Sequence, residues 1–350
     1  MKAIVYTHYG SPDVLQFKET EKPVPNAGEI LVKIYAASAN PLDWHLMRGA
    51  PFLARLAGGL RKPKDPRFGA DLAGRVEAVG STVTQFQLGD EVFGAWTGSF
   101  AEYATVPENR VALKPANRSF EEAAAIPVAA ITALQGLRDT GHIHTGQKVL
   151  INGASGGVGS FAVQFAKAFG AEVTGVCSTR NLDMVRSIGA DHVIDYTTED
   201  FTRNGQHYDL IFDAVGNRSV SAYRRALNPN GTCVVAGFSG LPRLFEHMVL
   251  GPLRSKIGNR WVGLMGTAKM KQQDLVFVKE LVEAGKVIPV IERRYPLREV
   301  PEAIRHLETG HARGKVVITV EQTRVPVWYN RPTDFMVLPL SVVDNSDLSP

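Results

Sequence analysis

Residues 148–159 read Lys-Val-Leu-Ile-Asn-Gly-Ala-Ser-Gly-Gly-Val-Gly, a short apolar run that passes straight into a glycine-rich turn. A continuous apolar run of this length fits a strand buried on both faces of a parallel sheet. Beyond the turn, Phe161, Val163, Phe165, Ala166 and Phe169 recur at helical spacing, and Gly170 supplies the stop. Strand, glycine turn and helix in that order form a dinucleotide cradle. Glycines let the chain reverse tightly, let the backbone approach a pyrophosphate and let the helix pack close to the strand, with the phosphates at the positive helix N-terminus. The spacing departs from the usual G-x-G-x-x-G, so the flanking strand and helix carry the argument against an ordinary tight turn.

The same alternation continues downstream. Strands are predicted at Glu172 to Cys177, His192 to Tyr196, Leu210 to Ala214 and Thr232 to Ala236, with a helix from about Leu182 to Ile188. Strands and helices of these lengths in alternation imply a parallel sheet covered on both faces. Upstream the pattern differs. Ile30 to Ile34, Gly74 to Val79, Asp90 to Phe93 and Ala101 to Val106 are short strands parted by glycine and proline turns, as in a small barrel or sandwich. After Gly266 come a helix over Gln272 to Ala284 and a last strand, Lys315 to Val320. A nucleotide domain over 123–266 is therefore expected inside a β-rich domain made of 1–122 and 267–350.

Cofactor choice is normally set about 20 residues past the glycine turn, where an acid grips the adenosine ribose of NAD. Here that position holds Ser178, Thr179 and Arg180. Two hydroxyls and a guanidinium suit a 2′-phosphate, so NADPH is the expected cofactor. The competing reading of Arg180 is a surface side chain capping the next helix.

Composition narrows the classes that remain. The chain has 350 residues, 44% hydrophobic and 21% charged, with 39 basic against 35 acidic side chains and a net charge of +4. That balance, without a basic run interleaved with aromatics, argues against nucleic acid. The two cysteines, Cys177 and Cys233, sit in apolar runs and can build neither a disulfide framework nor a zinc site. His45 beside Asp43 is the nearest candidate ligand pair, and two side chains are too few for zinc. No stretch of about 18 apolar residues is present, and MKAIVYTHYG lacks a signal-peptide pattern, so a cytoplasmic site is expected. The segment beyond Glu321 carries Val327, Trp328, Tyr329, Phe335, Met336, Val337 and Leu338, and is expected to pack on the barrel or on a second subunit.

Several further segments fall in a familiar order: Ala27-Gly-Glu-Ile-Leu-Val-Lys33, Asn40-Pro-Leu-Asp43, Gly69-Ala-Asp-Leu-Ala-Gly74, Phe86-Gln-Leu-Gly-Asp-Glu-Val92, Asp213-Ala-Val-Gly216 and Gly310-His-Ala-Arg-Gly-Lys315. With the glycine turn, they resemble the zinc-independent quinone oxidoreductase branch of the medium-chain dehydrogenase/reductases, most closely the reticulon-interacting-protein-like reductases. The resemblance spans roughly residues 1 to 321. It implies an α/β fold, a Rossmann-type doubly wound parallel sheet inserted in a GroES-like β-barrel domain, with the site in the cleft between them.

Carried over residue by residue, the resemblance puts Ser155, Gly157 and Val158 on the pyrophosphate, with Gly156 and Gly159 in the same turn. It puts Ser178, Arg180 and Tyr196 around the adenosine 2′-phosphate and adenine, and Val215 and Phe238 beside the nicotinamide. His311, Ala312 and Arg313 would close over the cofactor. For Tyr196 and Phe238, core packing is the competing reading. Asn40 falls where zinc-dependent relatives carry a metal-binding cysteine; an asparagine there donates to a substrate oxygen. His45 stands where such enzymes often have tyrosine, and either donates in the cleft or packs beside Trp44.

The expected reaction is hydride transfer from NADPH to a quinone or other conjugated carbonyl, with Asn40 and His45 as catalytic donors and a homodimer as the assembly. The alternatives are a 2-alkenal or enone C=C reductase, a zinc alcohol dehydrogenase, which the missing ligands disfavour, and a catalytically silent NADPH-binding sensor. Two apolar segments, Phe52, Leu53, Leu56 and Leu60, and Leu244, Phe245, Met248, Val249, Leu250 and Leu253, are expected to shape the substrate mouth, with core or dimer packing as the plainer reading.

Overall fold

Alternate residues of one strand take opposite faces, and in the nucleotide half both faces are apolar. Val149 and Ile151 pack beneath Phe161 and Phe165, whereas Leu150 between them joins Ile211, Cys233 and Tyr223 on the far side. This two-faced burial makes a layered α/β sandwich, seen here in a computed structural model that describes residues 1–52, 55, 58–255 and 259–320, with the backbone alone given for 252–255.

Fifteen strands are found among the described residues. The first seven are β1 (Lys2–Val5), β2 (Gln16–Glu19), β3 (Glu29–Ala39), β4 (Asp71–Val79), β5 (Glu91–Ala95), β6 (Tyr103–Pro107) and β7 (Val111–Leu113). The nucleotide half holds β8 (Lys148–Asn152), β9 (Glu172–Cys177), β10 (His192–Asp195), β11 (Tyr208–Asp213), β12 (Leu227–Val235) and β13 (Trp261–Leu264). The chain then returns through β14 (Ile291–Pro296) and β15 (Lys315–Thr319). Strands β8 to β13 form one sheet in the order β10-β9-β8-β11-β12-β13, with every pair parallel. The helix Gly157–Ala168 lies on one face and the helix Val220–Ala226 on the other.

The second sheet joins the two ends of the chain. Its order is β14-β15-β3-β4-β5-β7, with β6 also on β3. The 11-residue strand β3 is its hub. Two registers there build the site. On one side β3 pairs antiparallel with β4, Ser38 opposite Asp71. On the other, β15 pairs antiparallel with β3, Val316 opposite Ala39. Lys315 and Asp71 are thereby carried to the end of β3, where Asn40 starts the helix Pro41–Arg48.

Sequence patterning placed β8 and β9 to the residue and eight other strands with boundaries shifted by up to five positions, and it did not mark β1, β2, β7, β13 or β14. It did not single out the helix Leu241–Ser255, which was read only as an apolar stretch. The tail over 321–350 lies outside the described residues.

Candidate active site

The glycine turn uses each glycine differently. Gly153 sits at φ +79°, a left-handed conformation that L side chains rarely adopt. A β-carbon on Gly159 would lie 2.0 Å from the Gly153 carbonyl oxygen, so this position is what lets the helix close on the strand. Gly156 caps the helix at φ −80°, and an added carbon there meets only Gly153 O, at 3.4 Å. The turn is braced from the other domain, where the Gly314 amide donates to Ser155 O at 2.8 Å.

A cleft of about 2020 Å³ runs between the two halves. Ser155, Gly156, Gly157, Val158, Gly159, Ser178, Arg180, Tyr196, Val215 and Phe238 line it from the nucleotide side, and Asn40 and His45 from the barrel. His311 and Ala312 also face it, whereas Arg313 is not among the lining residues and its backbone amide donates to Glu292 at 3.0 Å. At one end a side recess of about 330 Å³ is walled by Ser178, Thr179, Arg180, Tyr196 and His311. Arg180 Nη2 donates to the His311 carbonyl at 3.0 Å, leaving its remaining guanidinium N–H groups at the recess. Tyr196 is half exposed on the recess wall, at 50%, and not in the core.

The expected apolar mouth divides. Leu244 reaches the cleft. Leu241, Phe245, Met248 and Val249 are exposed, at a spacing that puts them on one face of their helix, and Leu250 packs on the core. Phe52 and Leu60 are exposed and outside the cleft lining. Leu53 and Leu56 lie outside the described residues, as does the Leu253 side chain.

His45 is stacked on Trp44, with centroids 3.6 Å apart, and meets Phe238 across the cleft at 5.2 Å. The ring therefore packs on Trp44 and also borders the cleft. Its Nδ1–H donates to the Ala50 carbonyl at 3.0 Å, which leaves Nε2 as an acceptor in the neutral ring. Burial pushes its pKa below the ordinary value, so the neutral form prevails at pH 7.

Asn40 is 3% exposed and fully engaged. Its Nδ2 donates to Asp71 at 2.9 Å and to Ser38 O at 3.3 Å, and its Oδ1 accepts from the Lys315 ammonium at 2.6 Å. An ammonium on one end and a carboxylate on the other fix the amide orientation. Asp71 is wholly buried and also accepts from Ser38 Oγ and the Val128 amide. Lys315 lies 3.2 Å from it, a buried ion pair. Sequence reasoning missed Lys315 and Asp71 as site residues. The signal was a charged residue opening or interrupting an apolar strand, since a buried charge needs a partner.

Asp43 is the third ionisable group of this cluster. It accepts from the Asn40 amide at 2.7 Å, and burial raises its pKa from 3.8 to about 7, aided by Asp71 and opposed by that hydrogen bond and by Lys315. A carboxyl whose pKa is raised on folding holds its proton longer folded than unfolded. Stability therefore falls as pH rises between about 4 and about 7. The limit of this effect is on the order of 4 kcal/mol. Asp43→Asn is expected to flatten that slope in denaturant titrations across the window, and an unchanged slope refutes the assignment.

Other elements shape the turn after β11. Asp213 Oδ1 accepts from the Val215 and Gly216 amides, both at 2.7 Å, while Oδ2 takes Asn152 Nδ2 and the Tyr223 hydroxyl. This fixes Val215 at the cleft wall. Asn181 Nδ2 donates to Ser155 Oγ at 3.0 Å, and its buried Oδ1 has no partner among the described residues.

Comparisons with known proteins agree with this architecture. A model described as the alcohol dehydrogenase GroES-like domain matches residues 26–116, and one described as zinc-binding dehydrogenase matches 188–318. The chain is 34% identical to the mouse (Mus musculus) NAD(P)H oxidoreductase RTN4IP1, mitochondrial, over 91% of this chain and 89% of that protein. The chain belongs to the medium-chain dehydrogenase/reductases, in their quinone oxidoreductase branch. It is also 38% identical to a 2-methylene-furan-3-one reductase of tomato (Solanum lycopersicum), covering 91% of this chain and 79% of the relative. The Escherichia coli quinone oxidoreductase complexed with NADPH superposes with a TM-score of 0.78 at 26% identity, over 91% of this chain and all of that one (100%). Within the family, this chain has no grouping of three or more His, Cys, Asp and Glu able to hold a metal among its described residues. No helix among them is long and apolar enough to cross a membrane.

Proposed function

We propose that this chain is an NADPH-dependent oxidoreductase acting on quinones or other conjugated carbonyl compounds. The observation that carries the reading is the side recess, which offers hydroxyls and a guanidinium and no carboxylate in its wall. When bound, NADPH supplies a hydride. The chain's own groups do the rest. The glycine turn and the helix N-terminus hold the pyrophosphate, Arg180 and Ser178 hold the 2′-phosphate, and Val215 and Phe238 flank the nicotinamide. His311 and Ala312 close the last turn over it, and Asn40 and His45 form the barrel wall of the acceptor pocket.

Zinc does not fit these residues. At the position where a metal ligand would be needed, Asn40 Oδ1 already receives an ammonium at 2.6 Å, and a dication beside Lys315 would be repelled. The acceptor must then bring its own activation through conjugation, because metal polarisation of a plain ketone is missing. NADPH oxidation is expected to run much faster with a simple quinone or a 2-enone than with cyclohexanone. Equal rates would refute the reading. Comparing a quinone with a 2-alkenal then separates it from C=C reduction, which the tomato relative's name favours.

A homodimer and a cytoplasmic site complete the proposal. The exposed row Leu241, Phe245, Met248 and Val249 supports a second copy as its cover, and sedimentation at monomer mass counts against it. The two buried free thiols suit a reducing compartment; recovery of the native protein only from an organelle would exclude the cytoplasm.

A further inference from the structure

We propose that the Lys315 ammonium is the group that stabilises the acceptor's oxygen as hydride arrives, held ready by Asn40 and Asp71. The inference rests on the oxidoreductase reading above and assigns a residue that reading lacks. An ammonium carries three N–H donors. Two of them have acceptors, Asn40 Oδ1 at 2.6 Å and Asp71 Oδ2 at 3.2 Å, and the third has none among the described residues. Lys315 is 3% exposed and lines the cleft beside Asn40.

The path of the side chain matters. Its stem crosses the glycine turn, where a β-carbon on Gly157 would stand 3.1 Å from Lys315 Cδ. Its head continues past the turn to the barrel wall. The cation therefore serves the acceptor side of the cleft and not the phosphate nest.

The two side-chain donors that the resemblance assigns to the acceptor, Asn40 and His45, are spent. Both Nδ2 hydrogens of Asn40 are taken by Asp71 and Ser38. The one N–H of neutral His45 goes to Ala50. Lys315 is left with one unused N–H in a buried position, where a donor fixed in advance is worth most.

In the reaction a new C–H bond forms on the acceptor, the carbonyl π pair moves to oxygen, and that oxygen becomes anionic. The free N–H of Lys315 hydrogen-bonds this oxygen, and solvent water delivers the proton that completes the product. NADPH is the reductant, so charge and electrons balance. Asn40 and Asp71 are positioning residues, because they act through Lys315.

The test reads oxygen charge without turnover. 4-Nitrophenol is bound to the full chain with NADP⁺, and its ionisation is followed through the phenolate absorption band. The expected result is a bound dye at least about tenfold more ionised than free dye at the same pH, one pH unit of apparent pKa. Lys315→Met should abolish that shift and lower kcat about 100- to 1,000-fold with NADPH affinity unchanged. Stripping one partner of a buried pair strands the other charge. The double variant Lys315→Met with Asp71→Asn therefore covers a single variant that fails to fold, since the amide retains groups for Ser38 and Val128. A wild-type dye with no shift, or the same shift in the double variant, overturns the proposal. A dye shift without any quinone or enone turnover leaves Lys315 standing and sinks the oxidoreductase reading instead.

Discussion

Gly159→Ala is expected to lower the melting temperature by several degrees and to abolish measurable NADPH binding. The added carbon would stand 2.0 Å from Gly153 O and 2.7 Å from Gly153 C, both backbone atoms at the end of β8. No side-chain rotation relieves such a clash, so strand and helix must separate. Overpacking of this kind costs about 1–3 kcal/mol, and the displaced turn no longer aims its amides at a pyrophosphate. Gly156→Ala is the contrast. Its φ of −80° suits alanine, and its new carbon meets one atom at ordinary contact distance. It is expected to melt with the wild type. Calorimetry and NADPH fluorescence titration on the pair decide the matter. A Gly159→Ala protein with wild-type stability and affinity would show that close helix–strand approach is not what this glycine provides.

What could be read from sequence was whatever local periodicity controls. Lys148 to Asn152, the turn after it and the recess residues near Ser178 lie within some 50 positions of one another, and a βαβ unit fixes their mutual geometry. The charged cluster was illegible for the opposite reason. Lys315 and Asn40 are 275 positions apart, and only the register of β15 on β3 makes them neighbours. Asn40 lines the cleft, yet its donors are taken by Asp71 and Ser38, because the sequence does not say which groups will surround an amide. The helix Leu241–Ser255 is a different case. Its apolar residues allow a substrate mouth or, more plainly, core or dimer packing; of the described side chains Leu244 reaches the cleft, Leu250 packs on the core and the others lie on an outward face.

Arg180→Ala is expected to cut the preference for NADPH over NADH by about 10- to 150-fold in kcat/KM, the equivalent of roughly 1.5–3 kcal/mol for one charge-assisted contact. The recess gives the reason. Ser178 and Thr179 bring hydroxyls, Tyr196 a half-exposed ring, and Arg180 the positively charged group in that wall. The nearby acid, Asp195, is turned to Thr179 and Thr197 and held below the usual carboxylate range by their hydrogen bonds. It is thus occupied within the protein and not offered to a ribose. Arg180 also has a structural role, since Nη2 holds the His311 carbonyl at 3.0 Å. Loss of that tether alone would weaken NADPH and NADH equally, by loosening the turn that closes over both. Loss of a 2′-phosphate contact weakens NADPH only. Steady-state kinetics with the two cofactors at several salt concentrations separate these cases, because the phosphate contact is exposed and screened by salt. If the ratio stays at its wild-type value while both constants fall, Arg180 is a brace for His311 and cofactor choice must rest on Ser178 and Tyr196.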